Sequence, residues 1–151
     1  MLKNYEQILV PIDGSKYSKL AFNKAVEVAK RNNASLHIAH VIDTRVFNDL
    51  ATFDTSMLDE LTSDAKKTLD KYKETAIDSG VNNVDYVIEY GMPKSIIAKD
   101  LVKRFNIDLI MIGANGKNMT ERILIGSVAS YVTRSASCDV LMVKTDVQNK
   151  E

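Results

Sequence analysis

Ile8-Leu9-Val10-Pro11-Ile12-Asp13-Gly14-Ser15 is the stretch on which the fold turns. Its run from Ile8 to Ile12 is apolar and rich in branched side chains, as expected of a strand buried on both faces. Asp13-Gly14-Ser15 then supplies turn and helix-capping chemistry. Leu20, Ala21, Ala25, Val28 and Ala29 mark one face of the helix that follows, which ends at Asn32-Asn33. Strand, turn and helix in that order begin a β-α unit.

The rest of the chain repeats the unit. A second strand is expected over Ala34 to Ile42, and Asp43 to Thr55 has no clear period, so it reads as a surface loop or an extra half-turn. Leu58, Leu61, Ala65, Leu69, Tyr72 and Ala76 step by three or four, an amphipathic helix closed by Gly80 whose stripe is expected to face the core. Val84 to Tyr90 alternates as a third strand. Gly91-Met92-Pro93 opens a third helix, with Pro93 near the first helical position where its missing N–H costs nothing. That helix carries Ile97, Leu101, Val102 and Phe105. Ile107 to Ile112 reads as the fourth strand, Ser127 to about Ala136 as the last helix and Val140 to Val143 as the fifth strand. Such alternation predicts an α/β fold: a single doubly wound, five-stranded parallel sheet with helices on both faces, Rossmann-like in type. Right-handed crossovers limit the topologies, and the expected strand order is 3-2-1-4-5.

Composition narrows the function classes. The 151 residues suit one domain, 1–151, with 145–151 as a flexible tail. Hydrophobic content of 45% and charged content of 26% are those of an ordinary globular chain. Twenty basic residues balance twenty acidic ones, so no overall field favours nucleic acid or an anionic membrane. Cys138 is the only cysteine, which fits a reducing compartment. The segment from Lys3 to Ile12 is too short for a secretion signal, and no run approaches the ~20 apolar residues of a membrane span. A cytoplasmic protein is expected.

In an open sheet of this order, ligands sit beyond the carboxyl ends of the strands where the order reverses. That point lies between Asp13, after strand one, and Gly113, after strand four. Gly113-Ala114-Asn115-Gly116-Lys117-Asn118-Met119 follows strand four, and Gly126-Ser127-Val128-Ala129 opens the last helix. Gly113 and Gly116 are expected to permit positive φ and to let backbone N–H groups approach an anion. A larger side chain there is expected to weaken binding without harm to the fold. The free N–H groups and dipole of the last helix favour negative charge, with Lys117 and Arg122 available to phosphate oxygens. A plain turn followed by an N-cap is the competing explanation. Neither a P-loop nor a Gly-x-Gly-x2-Gly fingerprint occurs.

The spacing Gly-x2-Gly-x9-Gly-Ser, as Gly113, Gly116, Gly126 and Ser127, resembles the ATP-binding motif of the universal stress protein family. The opening Ile8 to Ser15, the strand Leu36-His37-Ile38-Ala39-His40-Val41 and the close Val140-Leu141-Met142-Val143-Lys144 resemble that family too. The resemblance implies the family's adenine nucleotide alpha hydrolase-like fold and its ATP-binding branch. It implies that Pro11, Ile12 and Asp13 border the ribose and adenine and that Val41 meets adenine through its backbone. Gly113, Ala114, Asn115, Gly116, Lys117, Asn118 and Met119 would wrap ribose and phosphates, and Gly126, Ser127, Val128 and Ala129 would complete the phosphate cradle. The implied ligand is ATP or AMP, with Mg2+ carried by the phosphates, in a nucleotide-dependent regulator of the stress response and not an enzyme. A slow ATPase or phosphoryl-transfer enzyme using the same loop is the alternative.

Other residues carry less. Asp13 reads as a helix cap or ribose contact ahead of a catalytic acid or magnesium ligand. His37 and His40, three apart on a strand, fall on opposite faces and do not suggest a metal site. Cys138 has no neighbouring histidine to activate it. The charged segment Asp59 to Asp78 reads as the solvated face of the second helix. No residue is identifiable as the base that a fast ATPase needs, and no aromatic lies between Gly113 and Ser127 to stack on a flavin. Strand five has no internal charge, unlike strand three with Asp85 and Glu89, so a homodimer through the fifth strand is expected. The resemblance points to the same dimer. No protein partner beyond it is identifiable.

Overall fold

The computed structural model describes residues 4–47, 55–115 and 125–145. Its strands are β1 (Gln7–Pro11), β2 (Ser35–Asp43), β3 (Asn83–Gly91), β4 (Leu109–Gly113) and β5 (Asp139–Val143), all parallel, in the order β3-β2-β1-β4-β5. The order expected from sequence is therefore the order observed. The sheet reverses between β1 and β4.

Helix α1 (Lys16–Asn32) packs on β1, β4 and β5, and α2 (Thr55–Asp78) on β2 and β3. Ile8, Val10, Ile38 and Met111 meet Phe22, Ala25, Val26 and Leu69 on this face. The helical stretch after β3 begins as α3 (Pro93–Ser95), passes through a π-helical turn (Ile96–Asp100) and ends as α4 (Leu101–Phe105). With α5 (Ser127–Ser135) it covers the opposite face, where Ile97, Leu101, Ala129 and Val132 pack on Leu9, Ala39 and Ile110. Strands buried from both sides explain the near-continuous apolar runs of β1 and β4.

Two expectations need correction. The buried stripe of α1 is Ser18, Ala21, Phe22, Ala25, Val26 and Ala29, whereas Leu20 and Val28 lie at its margin. The stripe of α2 is core-facing only toward its end: Leu69 and Ala76 are buried, but Leu61 is 41% exposed. The helix spans 24 residues, about 36 Å at 1.5 Å per residue, while the nine-residue β3 spans about 30 Å at 3.3 Å per residue. A helix longer than the strand it packs on cannot keep its whole length on the sheet. The segment after Asp43 forms a 3-10 turn (Thr44–Phe47); the rest of that expected loop, up to α2, lies outside the described residues.

Candidate functional site

At the reversal point the two central strands part. β1 keeps register with β2 from Gln7↔Ser35 to Pro11↔Ala39, but with β4 only at Ile8↔Leu109 and Leu9↔Ile110. Alternate residues of a strand turn their N–H to alternate neighbours. Because the Ile12 amide donates to the Ala39 carbonyl at 2.7 Å, position 11 faces the β4 side. Proline there has no N–H to leave unpaired where the strands separate.

The separation opens a cleft of about 470 Å³ at the carboxyl ends of the strands, a volume suited to a small organic ligand. Pro11, Ile12 and Asp13 line it from the end of β1 and the turn after it, and Val41 from β2. Gly113, Ala114 and Asn115 line it from β4 and its continuation, and Gly126, Ser127, Val128 and Ala129 from the start of α5. These sequence-selected residues thus meet around one space. Gly116, Lys117, Asn118, Met119 and Arg122 lie outside the described residues. Sequence reasoning missed Ser18, His40, Asp43, Pro93, Ile97 and Ile112, which also line the cleft. Asp43 and His40 carried a usable signal, being polar residues at the carboxyl end of a strand; Ile97 and Ile112 are apolar residues indistinguishable from core.

The first turn of α1 forms one wall. Ser15 Oγ accepts from the Ser18 amide at 3.1 Å and is the true N-cap, while Asp13 Oδ1 accepts from the Ser15 amide at 2.9 Å. The capping role considered for Asp13 therefore belongs to Ser15, and the exposed Asp13 carboxylate stands at the mouth of the cleft. Its charge, after burial as the larger cause, raises the Tyr72 phenol above its ordinary value.

Gly113 ends β4 against this turn. A Cβ built on it would lie 2.6 Å from the Tyr17 carbonyl carbon and 2.8 Å from the Ser18 nitrogen. Positive φ is found at Gly14, Gly80 and Gly91 and not at Gly113. The expectation of positive φ at Gly113 is thus overturned: glycine is needed because the backbone of α1 crosses here. Close approach brings Ser15 Oγ to 3.5 Å from the Asn115 carbonyl, tying α1 to the segment after β4. Beyond this point Ala114 donates to Val143 at 2.9 Å and accepts from the Gly126 amide at 2.7 Å, which fixes the start of α5 beside the end of β4.

The start of α5 is the electropositive wall. Gly126 caps the helix without a side-chain hydrogen bond, and no acidic residue occupies the first turn. The first bond of the helix comes from the Ser130 amide to the Gly126 carbonyl at 2.9 Å. The amides of Ser127, Val128 and Ala129 precede that bond and are left to face the cleft, with the positive end of the helix dipole. Asn115 is only 5% exposed, and its Oδ1 has no hydrogen-bond partner among the described residues. Such an orphaned acceptor in a cleft wall is a place for a ligand donor or water.

On the opposite wall Asp43 is engaged by Arg45, whose Nε and Nη2 lie 2.9 and 2.6 Å from its two oxygens. These bonds hold the Asp43 carboxyl below its usual value. No group of three acidic, histidine or cysteine side chains suited to a metal occurs among the described residues. His37 is not among the residues lining the cleft; it sits toward the amino end of β2, stacked on Phe105 at 4.8 Å and bonded through Nε2 to Gln7. Cys138 is half-buried, and burial raises its thiol pKa, the condition of an unreactive cysteine. No described helix is long and apolar enough to cross a membrane.

Residues 4–144 match the family model described as the universal stress protein family. A protein of Staphylococcus haemolyticus assigned to that family is 43% identical over 142 residues, covering 94% of this chain and 86% of the relative. The solved universal stress protein UspA of Lactobacillus plantarum is 33% identical with a TM-score of 0.82, covering 94% of this chain and 99% of that one. More distant likenesses concern the fold alone. A universal stress protein solved with cAMP is 24% identical with a TM-score of 0.71, covering 93% and 98% of the two chains. One from Archaeoglobus fulgidus solved with dAMP is 21% identical with a TM-score of 0.67, covering 93% and 99%.

Proposed function

This chain belongs to the universal stress protein family, and from that premise we propose that it is a cytoplasmic regulator that binds an adenine nucleotide, ATP or AMP, in the cleft between β1 and β4. The observation that carries this reading is the start of α5. Its uncapped first turn, with no acidic side chain, lines a cleft of nucleotide size. The phosphates would lie against the amides of Ser127, Val128 and Ala129, joined by Gly113 to Met119. The base would lie toward Val41, with the ribose near Asp13. Solved proteins of the same fold hold cAMP and dAMP, which supports an adenine ligand. Mg2+ would arrive on the phosphates, since one or two carboxylates with phosphate oxygens suffice for it.

Regulation is preferred to turnover because neither acidic side chain lining the cleft among the described residues is wholly free. Asp43 is held by Arg45, and Asp13 accepts the Ser15 amide. A water-activating base would have to be free to take a proton. Homodimerisation through β5 belongs to the same proposal. β5 is a sheet edge, and Leu141 on it is 41% exposed.

The test is calorimetric titration with ATP, AMP and GTP, beside hydrolysis of labelled ATP over an hour with and without magnesium. Saturable binding of ATP or AMP with negligible turnover supports the proposal. Absence of adenine nucleotide binding removes it, and steady magnesium-dependent hydrolysis favours the phosphoryl-transfer enzyme.

A further inference from the structure

The β1–β2 ladder ends on an exchange of partners. Its last backbone bond runs from the Ile12 amide to the Ala39 carbonyl at 2.7 Å. In a parallel ladder the following bond runs from the Val41 amide back to the Ile12 carbonyl. No backbone bond joins Val41 to Ile12 among the described residues. The Ile12 carbonyl lies instead 2.6 Å from Nδ1 of His40. A carbonyl oxygen only accepts, so Nδ1 carries the hydrogen and donates it. The imidazole holds the oxygen on which the ladder would otherwise have closed.

The consequence falls on Val41. Its N–H and C=O point to the same side as those of Ala39, toward β1. There β1 has already ended at Pro11, and the chain turns away through Asp13 into α1. Both backbone groups of Val41 therefore face the cleft that this residue lines.

We propose that His40 is a positioning residue: by holding the Ile12 carbonyl it keeps open to the cleft the Val41 N–H and C=O, the pair that on the nucleotide reading above meets the adenine edge. Adenine presents an amino donor at N6 beside a ring acceptor at N1, matching a carbonyl and an amide. Guanine presents a carbonyl acceptor beside a ring N–H, the reverse polarity. Sites built on such hydrogen bonds reject the mismatched analogue because buried polar groups are left unpaired. The ligand in this inference rests on the nucleotide reading above. The exchange of partners at Ile12 does not.

Asn carries its side-chain nitrogen at the position of Nδ1, so His40→Asn keeps the donor; His40→Leu removes it, and His40→Gln displaces it by one bond. The first measurement is amide hydrogen exchange at Val41 by NMR without ligand. Val41 should exchange at least tenfold faster in wild type and His40→Asn than in His40→Leu or His40→Gln. The second is the ratio of ATP to GTP affinity, which should fall at least tenfold in His40→Leu and His40→Gln and survive in His40→Asn. A protein unfolded by leucine leaves the glutamine variant to decide. Should wild type bind no adenine nucleotide, the proposed function fails, while the exchange rates still judge His40. Equal protection of Val41 in wild type and the donor-lacking variants, or an unchanged nucleotide ratio in them, overturns the inference.

Discussion

Gly113→Ala adds one methyl group at the crossing of β4 and α1. The added carbon would lie 2.6–2.8 Å from three atoms of Tyr17 and Ser18, two of them backbone. Carbon contacts are normally about 3.5–4.0 Å, so strand and helix must part by roughly 1 Å. Backbone cannot swing aside as a side chain does, and overpacking of this kind costs about 1–3 kcal/mol. The lower chain entropy of alanine in the unfolded state offsets about 0.4–1 kcal/mol. With a net loss of about 1–2 kcal/mol and about 2–4 °C per kcal/mol for this chain length, the melting temperature should fall by roughly 2–8 °C. Nucleotide affinity should fall too, because a displaced α1 carries Ser15 away from Asn115 and shifts Asp13. Thermal denaturation followed by circular dichroism, with calorimetric ATP titration on the same samples, measures both. A variant as stable as wild type would refute the close-approach argument. Weaker binding at unchanged stability would restore the view that Gly113 acts only on the ligand.

The remaining predictions concern the cap, the edge and a half-buried histidine. Asp13→Ala should weaken ATP binding while the melting temperature changes little, because Ser15 caps α1; Ser15→Ala should cost about 1 kcal/mol of stability in chemical denaturation. A larger stability loss in Asp13→Ala than in Ser15→Ala would reverse these assignments. Leu141→Lys should convert a dimer to monomer in analytical ultracentrifugation, whereas Val143, buried against α1, is unsuitable for such a test. A wild-type monomer at high micromolar concentration removes the β5 dimer. Burial lowers the His37 pKa below its ordinary 6.5, with Asp85 opposing. The unfolded chain therefore takes up its proton first as pH falls, and stability should decline below about pH 6.5 and level off beneath the folded-state pKa. An NMR titration of the ring placing its midpoint at or above 6.5 would contradict this.

The strand order was legible in the sequence because strand and helix differ in both length and period, and the alternation never breaks. Right-handed crossovers did the rest. The cleft was legible where its residues are chemically unusual, as at Gly113 and Gly126-Ser127. What escaped was geometry that composition does not carry. Nothing in the letters shows that α1 crosses β4 within van der Waals contact at Gly113, or that Ser15 and not Asp13 caps the helix, since both are good caps. His40 was placed correctly on a strand, yet its bond to a carbonyl 28 positions earlier depends on where β1 stops. The exposed first half of α2 shows the opposite failure. Its apolar spacing is genuine, but periodicity records which face is apolar and not whether anything covers it.

Backbone NMR shifts recorded while ATP is added to the uniformly labelled protein test the central claim most directly. The account predicts saturable shifts at the amides of Val41, Gly113, Ser127, Val128 and Ala129, with little change at Asn83 or Ser137 toward the other end of the strands. Shifts that fail to saturate, or that gather away from the cleft between β1 and β4, would contradict it.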